Sequence, residues 1–197
     1  KYGVQVGAHP GLPDLQGFGR RKMAISPAEA EADVIYQIGA LKAFCDAAGV
    51  PLHHVKPHGA LYNIAAKDPE LAAAICRAVK AAAPEAMLLA LSGSEMIKAA
   101  QALGLRVCSE VFADRGYQPD GTLVPRGKPG AMIENEEEAI ARVLQMAKQG
   151  TVCAIDGSTV ALQADSVCVH GDGPKALAFV RKISVALPAA GVEIKAQ

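Results

Sequence analysis

Short apolar runs alternate with amphipathic stretches along this chain, and glycine marks most of the changes. The apolar runs cover residues 3–8, 52–57, 86–92, 106–112, 151–155, 166–170 and 192–196. Each predicts a strand. In the first intervening segment Val34, Ile38, Leu41 and Cys45 recur at helical spacing and form one stripe. Ser26, Pro27 and Glu29 supply the N-cap, first-turn proline and third-position acid of a capping box. Asp68-Pro69 and Asn135 with Glu138 predict two further helix starts. Gly49, Gly104, Gly150 and Gly191 follow helical patterns and suit the left-handed residue that closes a helix. Strand and helix in turn predict an α/β fold with a mostly parallel sheet. Residues 151–163 differ, because Asp156-Gly157 between two extended runs predicts a hairpin. Residues 113–134 lack periodicity, and a loop of that length is usually functional.

Polar positions refine the class. Side chains alternate along a strand. Leu52, His54, Lys56 and His58 therefore share one face, opposite His53, Val55 and Pro57. Val4, Val6 and Ala8 oppose Gln5, Gly7 and His9. Val107 and Val111 oppose Cys108, Glu110 and Phe112. Val167 and Val169 oppose Ser166, Cys168 and His170. A valine-rich face suits helices, while the other face ends in His or Glu. Unlike faces with reactive groups at strand C-termini are what a (β/α) barrel produces, provided no bulge shifts the register. The predicted strands are few for eight-fold closure. The expected architecture is a single (β/α) barrel domain over residues 1–197, N-terminally incomplete because the chain opens in mid-element at Lys1.

Composition narrows the partners. Lys plus Arg balance Asp plus Glu, and aromatic residues make up 4% of the chain. Without a basic stripe or a stacking surface, nucleic acid is not an expected partner. No apolar run approaches a bilayer span, so no membrane is expected. The cysteines (Cys45, Cys76, Cys108, Cys153 and Cys168) are scattered and odd in number, which points to a reducing, cytoplasmic compartment.

His9, His58 and His170 each end an extended run before Gly or Pro-Gly. Imidazole there serves as general base, general acid or metal ligand. Asp114 and Asp172 are the carboxylates that would complete a metal site, but no H-x-x-x-H or H-E-x-x-H spacing accompanies them, so a divalent metal stays open. Lys56 shares the face of His58 and would meet an anion or oxyanion, unless it reaches solvent at a barrel rim. His53 reads as structural, and His54 as a deeper hydrogen-bonding group. Arg115 and Arg126, in the long loop with Asp114, would clamp a carboxylate, or else stand as solvated charges. Residues 12–23 hold Gln16, Gly17, Gly19, Arg20 and Arg21 and would form a lid over the first strand's end. Gly171 and Gly173 precede a predicted helix, an arrangement suited to an anion, but the G-x-x-x-x-G-K-[ST] phosphate loop is missing.

The runs "VGAHPGLPDLQGFGRR", "HVKPHGALYN", "EVFADRGYQPDGTLVPR" and "SVCVHGD" resemble the LamB/YcsF family over essentially the whole chain. The resemblance implies an irregular (β/α) barrel akin to glycoside hydrolases and polysaccharide deacetylases. It implies the A component of an ATP-dependent 5-oxoprolinase, which with B and C subunits opens the lactam of 5-oxo-L-proline to L-glutamate. ATP is then co-substrate of the complex, and self-association into a homo-oligomer is compatible. His9, Lys56, His58, Asp114 and His170 are the expected catalytic residues; Arg20, Arg115, Arg126 and Asp172 are the expected substrate-binding residues. The Asp-Leu-Asn-x-Asp-like and Gly-Phe-His-Ala-Gly-Asp-like runs with which members open do not occur here. Two alternatives are a metal-dependent carbohydrate or amide hydrolase acting alone and a non-catalytic partner subunit.

Overall fold

A computed structural model describes residues 3–171 and 176–195. The chain divides into two compact units, Lys1–Cys108 and Ser109–Gln197.

In the first unit strand β1 (Val6–Ala8) leads through a long loop to helix α1 (Pro27–Ala48), then β2 (Leu52–Val55), α2 (Gly59–Ala65), α3 (Pro69–Ala82), β3 (Met87–Leu91) and α4 (Glu95–Ala102). β1 pairs with β2, and β2 with β3, all parallel. The capping box at the start of α1 is present. The Ser26 hydroxyl accepts from the Glu29 amide at 3.2 Å, and the Glu29 carboxylate accepts from the Ser26 amide at 2.8 Å. Asp68 caps α3 by accepting from the amides of Glu70 and Leu71, each at 3.0 Å. On α1, Val34, Ile38 and Cys45 are buried as the stripe predicts. They face the apolar side of α3, where Leu71, Ile75 and Val79 are buried. β3 is buried along nearly its whole length, as a parallel strand covered on both faces must be.

Strand β4 (Val107–Phe112) runs from the first unit into the second. There follow α5 (Glu136–Gln149), β5 (Thr151–Cys153), β6 (Thr159–Ala161), β7 (Ser166–Cys168) and α6 (Ala176–Ala189). β4 and β7 are parallel, with Phe112 opposite Cys168. β5 and β6 form the expected antiparallel hairpin, closed where the Ala154 amide donates to Ser158 at 2.8 Å. Asn135 caps α5, and Gly150 closes it with φ 63°. The hydrogen-bonded order of the parallel strands is β1-β2-β3 in the first unit, and β4 lies beside β7 in the second. The class is therefore α/β, with parallel strands linked by helices in the manner of a (β/α) barrel.

Three expectations need correction. Residues 192–195 form no strand, because the Val192 amide donates to the Leu187 carbonyl at 2.9 Å and closes the end of α6. The first strand covers three residues, not 3–8, and its register shifts between Val6 and Gly7. β4 shows no alternation of burial, since every residue from Cys108 to Phe112 is buried.

Candidate active site

In the first unit, parallel pairing sets Ala8 opposite Val55, so His9 and Lys56 leave adjacent strands at the same end. The Lys56 amide donates to Ala8 at 2.9 Å and the His58 amide to Pro10 at 2.8 Å, which ties the two exits together. His9 Nδ1 lies 2.5 Å from the Lys56 carbonyl oxygen. His58 Nδ1 faces His9 Nε2 at 2.9 Å, and the rings meet edge to face at 4.7 Å. His58 Nε2 lies 2.7 Å from the Phe18 carbonyl oxygen. The Phe18 ring meets His58 edge-on at 5.1 Å and carries the Arg20 guanidinium 5.6 Å above it. Lys56 Nζ stands 6.0 Å over the Tyr62 ring, at the edge of cation–π range.

The sequence does not announce Phe18. It is the one non-glycine described residue with a left-handed backbone, at φ 55°. Its loop is shaped by Asp14, whose buried carboxylate accepts from the Gly17 amide at 2.9 Å and from Arg21 Nε at 2.9 Å. The Arg21 guanidinium hydrogen-bonded to Asp14 holds that carboxyl at about 2. The loop lies against the start of α2, where the Gly19 carbonyl accepts from the Ala60 amide at 2.9 Å. Gly59 makes this approach feasible, since a Cβ there would sit 2.5 Å from the Gly19 oxygen.

Water loss lowers the pKa of His9; the Lys56 carbonyl opposes that shift, and repulsion from His58, Lys56 and His54 reinforces it. His54 is lowered by the same desolvation, then by His53 and Lys56. Its ring covers Gly7, where an added Cβ would fall 2.0 Å from His54 Nε2. His53 does not turn fully away, because its Nδ1 lies 3.2 Å from that of His54.

In the second unit, Asp114 and His170 stand two residues beyond the Phe112–Cys168 register pair. Equal offset on parallel strands brings them together. His170 Nδ1 donates to Asp114 at 2.9 and 3.0 Å, and the His170 amide donates to the same carboxylate at 3.2 Å. The Phe112 ring stacks on the imidazole at 5.7 Å. Burial pushes the Asp114 carboxyl up, but the hydrogen bonds and charge of His170 together hold it below its ordinary value. With Nδ1 donating, Nε2 of His170 is the basic nitrogen, the tautomer a general base needs.

The long loop is built on Arg115 and Tyr117, both buried. Arg115 Nε donates to the Ala131 carbonyl at 3.1 Å and Nη2 to Val124 at 2.6 Å. Burial, then repulsion from Arg126, lowers the guanidinium pKa. The Tyr117 hydroxyl accepts from the Phe112 amide at 2.9 Å, and burial pushes the phenol up. Arg115 thus folds the loop. Arg126 is exposed, with Nη1 3.7 Å from Met132 Sδ. Asp172 and Gly173 lie outside the described residues. Among the described residues, no three His, Cys, Asp or Glu side chains gather in a metal-ligating arrangement. No helix among them is long and apolar enough to cross a membrane.

Parallel β/α units with titratable groups just past the strand ends define an α/β protein of the (β/α)-barrel class, which presents its chemistry from loops. The model of the LamB/YcsF family matches residues 1–197, and the chain belongs to that family. It is 59% identical over 192 residues to the A subunit of 5-oxoprolinase from Clostridium beijerinckii, covering 98% of this chain and 75% of that one. It is 55% identical over 194 residues to the Bacillus subtilis protein of the same name, covering 98% of this chain and 76% of that one. A crystal structure of a lactam utilization protein from Thermus thermophilus superposes with a TM-score of 0.88 at 53% identity, over 99% of this chain and 78% of that one.

Proposed function

We propose that the chain is the A component of an ATP-dependent 5-oxoprolinase, acting with B and C subunits to open the ring of 5-oxo-L-proline. An unstrained lactam carbonyl is a poor electrophile, and phosphorylation of its oxygen by ATP makes it a good one. Water then adds to the carbonyl carbon. The ring C–N bond breaks and nitrogen gains a proton, which leaves the acyl phosphate of glutamate; a second water cleaves that bond to L-glutamate and phosphate, ADP having left when the lactam oxygen was phosphorylated. The observation that carries this reading is the Asp114–His170 pair, a carboxylate-oriented imidazole with its basic nitrogen available by tautomer. In this role His170 takes the proton of the attacking water, and Asp114 steadies the imidazolium that forms. Lys56, Arg20 and Arg126 carry positive charge suited to a carboxylate or phosphate. The names of the relatives support the reaction.

The test is reconstitution of the full chain with purified B and C subunits, following L-glutamate and phosphate release together. The wild-type complex should release both, and His170→Ala should reduce both by roughly 10²–10⁴-fold. Release of neither by the wild-type complex, or undiminished flux in the variant, overturns the reading.

A further inference from the structure

Phe18 is an aromatic residue whose placement folding does not explain. Its backbone is left-handed at φ 55°, a conformation unfavourable for a side chain with a Cβ. It stands between two glycines that contacts require. A Cβ at Gly17 would fall 2.1 Å from the Asp14 carboxylate, and one at Gly19 would fall 2.9 Å from the His58 ring. Glycine at position 18 would remove the strain and keep the carbonyl that His58 Nε2 approaches at 2.7 Å. A phenyl stands there instead. Burial does not offset the strain, because Phe18 is 69% exposed.

The exposed ring is nonetheless held on a built support. The buried Asp14 carboxylate accepts from the Gly17 amide and from Arg21 Nε, each at 2.9 Å. The Gly19 amide donates to the Asp14 carbonyl at 2.9 Å, and the Arg20 amide to that of Gly17 at 3.0 Å. The ring meets His58 edge-on at 5.1 Å and carries the Arg20 guanidinium 5.6 Å above it. Backbone strain retained under an exposed group on a fixed support marks a position that contacts a ligand. A phenyl beside a guanidinium suits a small ring bearing a carboxylate. The ring packs on the phenyl and the carboxylate pairs with the cation.

We propose that Phe18 is a substrate-contacting residue that sets specificity for the small ring of 5-oxo-L-proline, its phenyl packing against that ring while Arg20 meets the carboxylate. This assignment rests on the reaction proposed above. The experiment uses the full chain reconstituted with B and C subunits, with Phe18→Gly and Phe18→Tyr as variants. Phe18→Gly should raise the KM for 5-oxo-L-proline about tenfold with a smaller change in kcat, the loss of one aromatic contact. Its thermal midpoint should not fall, because glycine accepts the left-handed backbone. Phe18→Tyr keeps the ring and should hold the KM within about twofold.

Calorimetric titration of 5-oxo-L-proline into the chain without its partners separates the contact from the reaction. A wild-type chain that binds, in a complex that releases no glutamate, ends the proposed reaction; binding about tenfold weaker in Phe18→Gly then still supports the contact. Glutamate release with an unchanged KM in Phe18→Gly overturns the contact and leaves the reaction standing. A thermal midpoint that falls as the KM rises also overturns it, since the ring would then belong to the loop's framework. So does weaker co-elution with the B and C subunits at unchanged KM, which would make the ring a subunit contact. No binding by the wild-type chain and no glutamate release by its complex overturn both.

Discussion

Arg115 and Asp114 are adjacent in sequence, yet their side chains serve different ends. Asp114 orients His170, whereas Arg115 is 4% exposed and donates from Nε and Nη2 to the carbonyls of Ala131 and Val124. Arg115→Ala takes a donor from the buried Val124 carbonyl, while the Ala131 carbonyl keeps the Gly116 amide, and a loss of about 1–3 kcal/mol is expected. Urea denaturation checks this, and a change below a few tenths of a kcal/mol would remove Arg115 from the loop's framework. Charge pattern alone could not separate a guanidinium clamping a substrate from one clamping backbone. The choice depends on whether residues 124 and 131 come within reach, and the loop's fold fixes that.

Helix ends were readable because their determinants are local. Ser26, Pro27 and Glu29 act within one turn, and the bonds they make are those their spacing predicts. Ser26→Ala should cost about 1 kcal/mol, seen as a lower urea midpoint at unchanged slope. The turn at the start of α2 is a different case. Gly59 has φ 58° and faces the Gly19 oxygen, so Gly59→Ala meets both backbone strain and a clash. A loss of at least about 1–2 kcal/mol is expected from the left-handed conformation alone. Thermal unfolding of the variant measures it; an unchanged midpoint would mean that the Phe18 loop yields freely. Nothing in "KPHGA" reveals this constraint, because the obstructing atom belongs to a residue forty positions earlier. The missing strand at 192–195 has a similar cause. Its apolar pattern suits a strand, but the Val192 amide already closes α6.

Across the chain as a whole, acid should weaken the fold through its engaged carboxylates. Asp14 is held at about 2 against an ordinary 3.8, and Asp114 is also lowered. A lowered carboxylate contributes stability that is complete above its unfolded value. That contribution falls away as pH drops through the folded value. Stability should therefore decline between pH 3.8 and about 2, and Asp14→Asn should make that decline shallower. Denaturant midpoints measured across this range test the sign; an identical slope in the variant would remove Asp14 as a contributor.

Residue order alone specified the α/β class, the helix caps, the hairpin at Asp156-Gly157 and the strand ends where histidines gather. These follow from periodicity and from bonds between near neighbours, which the chain encodes locally. Folding chose the partners: His9 with His58, His170 with Asp114, Arg115 with backbone, and Phe18 with His58. Each pairing depends on strand register and loop path, so it is fixed by distant residues packing together. The stretch from His53 to His58 shows the difference. Its polar pattern marked a cluster at a strand end, and only contact with Gly7, His9 and Phe18 gave the imidazoles of His54 and His58 separate partners.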